Sequence, residues 1–162
     1  MISLEFLDRV EMFKDLTDRQ LTEIRNAAES EEYKKGECIF KQKDPAQHLW
    51  IVTDGEVELC CEPGGDKIQH KRRDSVAFVS AAQAFGWTCF VPPYKYRLSG
   101  YCASRRCRLL KFNKADLEKL FEKHPEIGFT LMQYTMTSVG TQFQELQDEI
   151  ARQRGHEIIN RW

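Results

Sequence analysis

The sequence lacks a long apolar segment, an excess of one charge and an export signal. No stretch approaches the roughly 18 consecutive apolar residues that a membrane-spanning helix needs, so no membrane segment is predicted. The 24 basic and 25 acidic residues leave a formal net charge of −1, which gives no electrostatic reason to predict a nucleic-acid-coating protein. The amino-terminal stretch is acidic and has no apolar run, so it does not form a secretory signal and we expect a cytoplasmic protein.

Motifs for metal binding and catalysis are also missing. The six cysteines include no Cys-x-x-Cys pair, and the four histidines include no i, i+2 or i, i+4 pair. No Ser/His/Asp set or carboxylate pair stands out, so we expect reduced thiols, no metal, no required cofactor and no enzymatic activity. Cys60 and Cys61 are adjacent on a strand-like stretch, where alternation with Val57 and Leu59 places Cys61 on the buried face.

The periodicity divides the chain into a helical start, a β-rich middle and a helical end, all within one domain over residues 1–154. The predicted segments are helices over 3–30, strands over 31–112, helices over 114–124 and 125–154, and a short tail over 155–162. Strands this short favour an antiparallel barrel or sandwich over alternating strands and helices.

Local motifs mark the ends of these segments. Thr17 followed by Gln20 has the form of a helix capping box. Asp54-Gly55 and Pro63-Gly64-Gly65-Asp66 each predict a β-hairpin turn. Asn113 is a suitable cap for the helix that follows the strands.

The last predicted helix carries two apolar faces. One is a stripe with a period of 3.5 over about three heptads, formed by Phe129, Met132, Met136, Val139, Phe143, Leu146 and Ile150. Ile127, Leu131 and Tyr134 form a second apolar edge at the start of the same helix. Such a helix can pack on its own domain with one face and on a twin with the other, so a homodimer is predicted. The alternative is a stripe that packs on the chain's own strands.

Several strings, in order along the chain, resemble the cyclic nucleotide-binding domain family. They are residues 13–17, 33–40, 48–59, Phe85-Gly86, 109–112 and His124-Pro125-Glu126. The resemblance covers roughly residues 6 to 150. It implies a mainly β fold, an eight-stranded antiparallel jelly-roll barrel with flanking helices and a long C-terminal helix.

The resemblance also implies a phosphate-binding cassette. Its predicted ligand-binding residues are Phe85, Gly86, Trp87, Thr88, Cys89, Arg97, Leu98, Ser99, Thr135 and Ser138. A glycine turn lets backbone N–H groups approach a cyclic phosphate, and Arg97 can hold two phosphate oxygens at once. Thr135 and Ser138 lie on the last helix, where family members can place hydroxyl groups against a base across the dimer.

The cassette departs from the family pattern. Trp87 stands where the family has a glutamate that accepts from the ribose 2′-hydroxyl, and Ala82 stands where a glycine usually precedes the cassette. Loss of that charge-assisted bond costs about 1.5–3 kcal/mol, so a weakened or altered pocket is predicted. Trp87 either plugs the ribose space or offers a flat ring to a ligand. Phe-Gly-Trp followed by residues 91–94 resembles a subset of bacterial family members.

The resemblance therefore predicts a stand-alone regulatory or sensor module in signal transduction. Its ligand is expected to be a cyclic nucleotide (cAMP or cGMP) or another small anion, and its output to pass to an unknown downstream protein. No DNA binding is expected, because the helix-turn-helix domain of the family's transcription regulators needs several tens of residues beyond the last helix. The alternatives are a ligand-free interaction scaffold plugged by Trp87, and a haem or redox sensor with Cys or His ligands.

Overall fold

Eight strands and four α-helices make up the computed structural model, which describes residues 2–62 and 73–159. The helices are α1 (Leu4–Asp8), α2 (Asp18–Asn26), α3 (Lys114–Lys123) and α4 (Pro125–Ile159). The strands are β1 (Ala28–Lys34), β2 (Cys38–Phe40), β3 (His48–Asp54), β4 (Val57–Cys61), β5 (Asp74–Val79), β6 (Ala84–Phe85), β7 (Ser99–Cys102) and β8 (Arg106–Asn113). Two 3₁₀ turns, Glu11–Phe13 and Trp87–Phe90, complete the described elements. None of these helices combines the length and the apolar character needed to cross a bilayer.

The strands form two antiparallel sheets of four. Their orders are β1-β8-β3-β6 and β2-β7-β4-β5. Consecutive strands fall in different sheets, with β4 and β5 as the exception, which is the connectivity of a jelly roll. The predicted class, mainly β with flanking helices and a long C-terminal helix, is confirmed. No pairing among the described strands closes the two sheets into one continuous barrel.

The sequence predicted a β-hairpin at Asp54-Gly55, and this prediction is wrong. β3 pairs with β6 and β8, whereas β4 pairs with β5 and β7, so the chain changes sheet at this turn. Gly55 has a φ of 85°, and a Cβ there would collide with the Arg106 carbonyl oxygen and lie 2.5 Å from Ser104 Oγ. Hairpins and sheet changes both use a left-handed residue, which is why the sequence pattern did not separate them. The second predicted hairpin tip, residues 63–66, lies outside the described residues.

The junction of α2 and β1 confirms the predicted cap but not the predicted end. Thr17 and Gln20 form the capping box, with each side chain bonded to the other residue's backbone N–H. The helix ends at Asn26, however, so residues 28–30 are strand and not helix. Ala28 pairs with Phe112 of β8, and this long-range pairing outweighs the local helical pattern.

α4 is longer than predicted. Pro125 occupies its first position, as expected, but the helix continues through residue 155 to Ile159 instead of ending at 154. A glycine within a helix costs only about 1 kcal/mol relative to alanine, so one glycine does not stop a helix of 35 residues.

β4 departs from simple alternation. Its pairing with β5 shifts register between Leu59 and Cys60. The extra residue at this shift is Val76 of β5, whereas β4 pairs with β7 without a break. Cys60 is completely buried, with its thiol 3.7 Å from the Ser99 carbonyl oxygen, and Cys61 is partly exposed. The prediction that Cys61 lies on the buried face is therefore wrong.

Two apolar clusters stabilise the fold. The cluster between the helices and the first sheet includes Phe13, Ile24, Leu110, Phe112, Leu117, Ile127 and Leu131. The cluster between the two sheets includes Trp50, Val52, Val57, Phe85, Cys102 and Leu109. The second apolar edge of α4 thus packs on its own domain. The 3.5-residue stripe does not, since Phe129, Met136 and Phe143 remain 69%, 76% and 59% exposed.

Candidate ligand-binding site

A cavity of about 110 Å³ lies beside the turn at Gly86. Its described lining residues are Phe40, Leu59, Gly86, Trp87, Thr88, Tyr96, Arg97 and Leu98. Half of the predicted ligand-binding residues are among them, namely Gly86, Trp87, Thr88, Arg97 and Leu98. The structure therefore brings the cassette turn and the predicted arginine to one cavity.

Gly86 is required by its backbone conformation and by its surroundings. It has a φ of 85° and caps the 3₁₀ turn Trp87–Phe90. A Cβ at this position would lie 2.9 Å from the His48 carbonyl oxygen and 3.0 Å from Trp50 Cδ1. Residues at the start of a helical turn have N–H groups without an acceptor inside that turn. Trp87 and Thr88 occupy these positions at the cavity wall, where a ligand can accept from their N–H groups.

Arg97 lies at the rim of the cavity and is exposed to solvent. Among the described residues it takes part in no ion pair. The preceding residue, Tyr96, fixes the local backbone, because its N–H donates to the Asp44 carbonyl at 3.0 Å. The guanidinium is thus the cationic group that the cavity offers to an anion arriving from solvent.

Tyr96 and Phe40 form an aromatic wall that the sequence did not predict. Their rings stack with centroids 4.0 Å apart and planes 18° apart. The Tyr96 hydroxyl donates to the His48 carbonyl at 3.2 Å and accepts from the His48 N–H at 3.3 Å. Burial raises the pKa of Tyr96, so the hydroxyl stays neutral. The ring, and not the hydroxyl, is therefore the part of Tyr96 available to a ligand.

Leu59 is the third lining residue that was not predicted. Its position on β4 opposite Gly100 of β7 places it beside Phe40, since both strands belong to the second sheet. A Cβ on Gly100 would lie 3.0 Å from Phe40 Cζ. Only the pairing of β2, β7 and β4 brings Leu59 and Phe40 together, and no local sequence pattern predicts that pairing.

The other predicted ligand-binding residues do not line the cavity. Phe85 lies in the cluster between the sheets, and Cys89 lies in the cluster next to the helices. Ser99 is buried, and its hydroxyl accepts from the Gln42 N–H at 2.9 Å. Phe85 and Cys89 are part of the core, and the Ser99 hydroxyl already has a hydrogen bond within the protein, so none of the three side chains is available to a ligand.

Thr135 and Ser138 lie on α4 and are also absent from the lining of the cavity. The Thr135 hydroxyl donates to the Leu131 carbonyl at 2.8 Å, one turn earlier in the same helix. Within one chain, neither residue belongs to the site.

Ala82, at the position where the family resemblance implies a glycine, has a left-handed φ of 67°. Left-handed backbone costs a non-glycine residue about 1 kcal/mol or more. The backbone thus keeps the conformation that a glycine favours, although the side chain has changed.

The cysteines behave as small apolar residues. All six are free, and Cys60, Cys89, Cys102 and Cys107 are buried. Burial raises the pKa of the Cys89 thiol to about 12, so it is protonated at neutral pH. In the described ranges, 2–62 and 73–159, no three His, Cys, Asp or Glu side chains are grouped to hold a metal ion.

Two relatives match by sequence. A Rhodopseudomonas palustris protein named as a potassium channel is 26% identical over 160 residues, which are 99% of this chain and 36% of that protein. A cAMP-dependent protein kinase regulatory subunit of Colletotrichum orbiculare is 27% identical over 66 residues, 41% of this chain and 17% of that protein. The chain thus spans well under half the length of either relative.

A solved structure and a family model complete the comparison. A Geobacter metallireducens protein, described as a cyclic nucleotide-binding protein, superposes with a TM-score of 0.70 at 28% identity, covering 87% of this chain and 98% of that one. The model of the cyclic nucleotide-binding domain matches residues 30–124, from β1 through α3, and includes every described residue that lines the cavity. This chain therefore belongs to the cyclic nucleotide-binding domain family.

Proposed function

We propose that this chain is a regulatory sensor module that binds a cyclic nucleotide or another small anion in the cavity beside Arg97. The observation that carries the proposal is the shared cavity, which both the Gly86 turn and Arg97 line. Main-chain N–H groups and a guanidinium are the groups that bind phosphates. The relative named as a cAMP-dependent kinase regulatory subunit makes cAMP the first ligand to test.

The proposed location is the cytoplasm, and the proposed output is a change in another protein. Six free thiols fit a reducing compartment. The matched relatives are named as a channel and a kinase regulatory subunit, both much longer than the part that this chain matches.

A contact route joins the cavity to the corner between α3 and α4. Phe90, the last residue of the cassette turn, lies next to Phe121 of α3, with ring centroids 6.2 Å apart. Phe121 in turn packs against Gly128 near the start of α4, where a Cβ would lie 3.0 Å from the Phe121 Cβ. These contacts couple the conformation of the cassette turn to the arrangement of α3 and α4. A ligand that binds one conformation of the turn more tightly than another therefore shifts the population of the helix arrangements.

Dimerisation through α4 is part of the proposal. Phe129, Met136, Phe143, Leu146 and Ile150 are exposed apolar side chains along one stripe, while Ile127 and Leu131 fill the core. A stripe with a period of 3.5 is suited to a second helix of the same kind, and burial of large apolar side chains supplies the driving force.

Calorimetry with cAMP and cGMP tests the site. We expect weak binding to the wild type, because Trp87 offers no acceptor to the ribose. Arg97→Ala is expected to weaken that binding by about ten- to a hundredfold, the equivalent of a hydrogen bond to a charged group. Arg105→Ala, which removes an exposed arginine that is not among the lining residues of the cavity, is the matched control and should bind like the wild type.

Trp87→Glu provides the gain-of-function arm of this experiment. The new carboxylate is expected to recover part of the affinity for cAMP, since it restores the acceptor that the family resemblance implies at this position. Equal affinity of the wild type, Arg97→Ala and Trp87→Glu would show that the cassette is not the binding site.

A further inference from the structure

The described lining of the cavity has one cationic side chain and few other polar side chains. Phe40, Leu59 and Leu98 are apolar, Trp87 offers an indole, and Tyr96 offers its ring. Besides Arg97, the side-chain groups available for hydrogen bonding are the Thr88 hydroxyl and the Trp87 indole N–H, which only donates, because the Tyr96 hydroxyl is bonded to His48. No carboxylate or amide side chain is among the described lining residues.

The small number of polar side chains in this lining disfavours the binding of a sugar. A ribose hydroxyl that leaves water needs a replacement partner, and the walls formed by Phe40, Leu59 and Leu98 have none to offer. Apolar and aromatic walls, by contrast, favour a flat apolar group, and stacked rings such as Phe40 and Tyr96 extend that surface.

The volume of the cavity limits the size of the ligand. This volume is about 110 Å³, and an apolar protein cavity of about 150 Å³ binds benzene. One aromatic ring therefore comes close to filling the space, with its charged group at the rim beside Arg97. A cyclic nucleotide adds a sugar and a fused two-ring base, most of which would lie outside.

We infer that the preferred ligand is a small aromatic anion, a single ring that carries a carboxylate or a phosphate. The ring occupies the space between Trp87 and the Phe40–Tyr96 wall, and the anion lies against Arg97 and the N–H groups after Gly86. This inference rests on the proposed function, because it specifies the ligand class of the same site.

A set of small probes separates the contributions of ring and charge. The probes for calorimetry are benzoate (ring and charge), acetate (charge alone), benzyl alcohol (ring alone) and phenyl phosphate (the same ring on a phosphate). At least one of benzoate and phenyl phosphate is expected to bind at least about tenfold more tightly than acetate and benzyl alcohol. The preference between the two anions identifies the carboxylate or the phosphate as the natural head group.

Variants assign the binding to this cavity. Arg97→Ala is expected to remove most of the affinity for the aromatic anion, and Leu98→Asp is expected to do the same by placing a negative charge in the apolar wall. Arg105→Ala should bind like the wild type. Arg97 is exposed, so its replacement is not expected to disturb folding, which circular dichroism checks.

Cyclic nucleotides distinguish failure of this inference from failure of the proposed function. Without a sugar-reading acceptor, cAMP and 2′-deoxy-cAMP should bind within about threefold of each other. Arg97-dependent binding of cAMP, with a strong preference over the deoxy form and no advantage of benzoate or phenyl phosphate over acetate, would overturn the inference and leave the sensor function standing. Absence of Arg97-dependent binding for every probe would overturn both.

Discussion

The two apolar faces of α4 begin on the same turns of the helix, but one is buried in the core and the other is exposed. Ile127 and Leu131 are 0% and 1% exposed within the core, whereas Phe129 and Met136 point away from it. The first face is short and ends at Tyr134, while the second continues to Ile150. Apolar periodicity thus identifies a face, but only the tertiary structure shows whether the domain itself covers it.

Removing the inner face should have the largest effect on stability. Ile127→Ala leaves a cavity in the cluster between the helices and the first sheet, and is expected to lower the free energy of unfolding by about 2–5 kcal/mol. Urea denaturation followed by circular dichroism measures the change. Gln133→Ala, at an exposed position of the same helix, should change stability by less than about 0.5 kcal/mol. Comparable losses in both variants would contradict the assignment of the inner face.

Charging the outer face should break the proposed dimer and leave the fold intact. Phe143→Glu places a carboxylate in the apolar stripe, where pairing of two helices would desolvate it. We expect the dimer dissociation constant to rise by at least about a hundredfold, measured by sedimentation equilibrium. Thr141→Glu adds the same charge on the exposed side of the helix opposite the stripe, and should leave the proposed dimer unchanged. A wild type that sediments as a monomer would refute dimerisation at once.

The glycine near the inner face should resist substitution. A Cβ on Gly128 would lie 3.0 Å from the Phe121 Cβ and Cγ, so Gly128→Ala requires Phe121 to shift by a few tenths of an ångström within the corner between α3 and α4. Overpacking of this kind costs about 1–3 kcal/mol, which exceeds the gain in helix propensity. Thermal unfolding is expected to show a lower Tm, and an unchanged or higher Tm would mean that the corner between α3 and α4 is loosely packed.

The glycine farther along α4 should give the opposite, smaller change. A Cβ on Gly140 meets nothing within 4 Å, so Gly140→Ala should stabilise the helix by about 0.5–1 kcal/mol through propensity alone. Urea denaturation in the Phe143→Glu background measures this effect without a contribution from the dimer. A destabilising result there would mean that Gly140 lies against the chain's own domain.

Local chemistry predicted much of this structure. The capping box at Thr17, the cap at Asn113 and the proline that begins α4 are each decided by a few adjacent residues, and all three are confirmed. The resemblance to the family placed Gly86 and Arg97, which line one cavity. These features depend on short stretches of sequence, or on a pattern already known from related chains.

The features that escaped prediction depend on contacts between distant residues. Ala28 lies in a strand because β8 pairs with it. The chain changes sheet at Gly55 because β4 pairs with β5 and β7. Phe40 and Tyr96 reach the cavity from segments far apart in the chain. Periodicity within one segment carries no information about such partners, so the aromatic wall became visible only in the assembled fold.

The close approach of Gly86 to the His48 carbonyl has a consequence for how selectivity can change. Any larger residue at position 86 would push β3 and the turn apart, so that position is closed to variation without loss of the fold. The next residue, Trp87, is partly exposed at the cavity, and the rest of its side chain packs against the cluster next to the helices. A single exchange at position 87 should therefore change selectivity with less disturbance of the backbone than one at position 86, which makes this turn a practical starting point for engineered sensors.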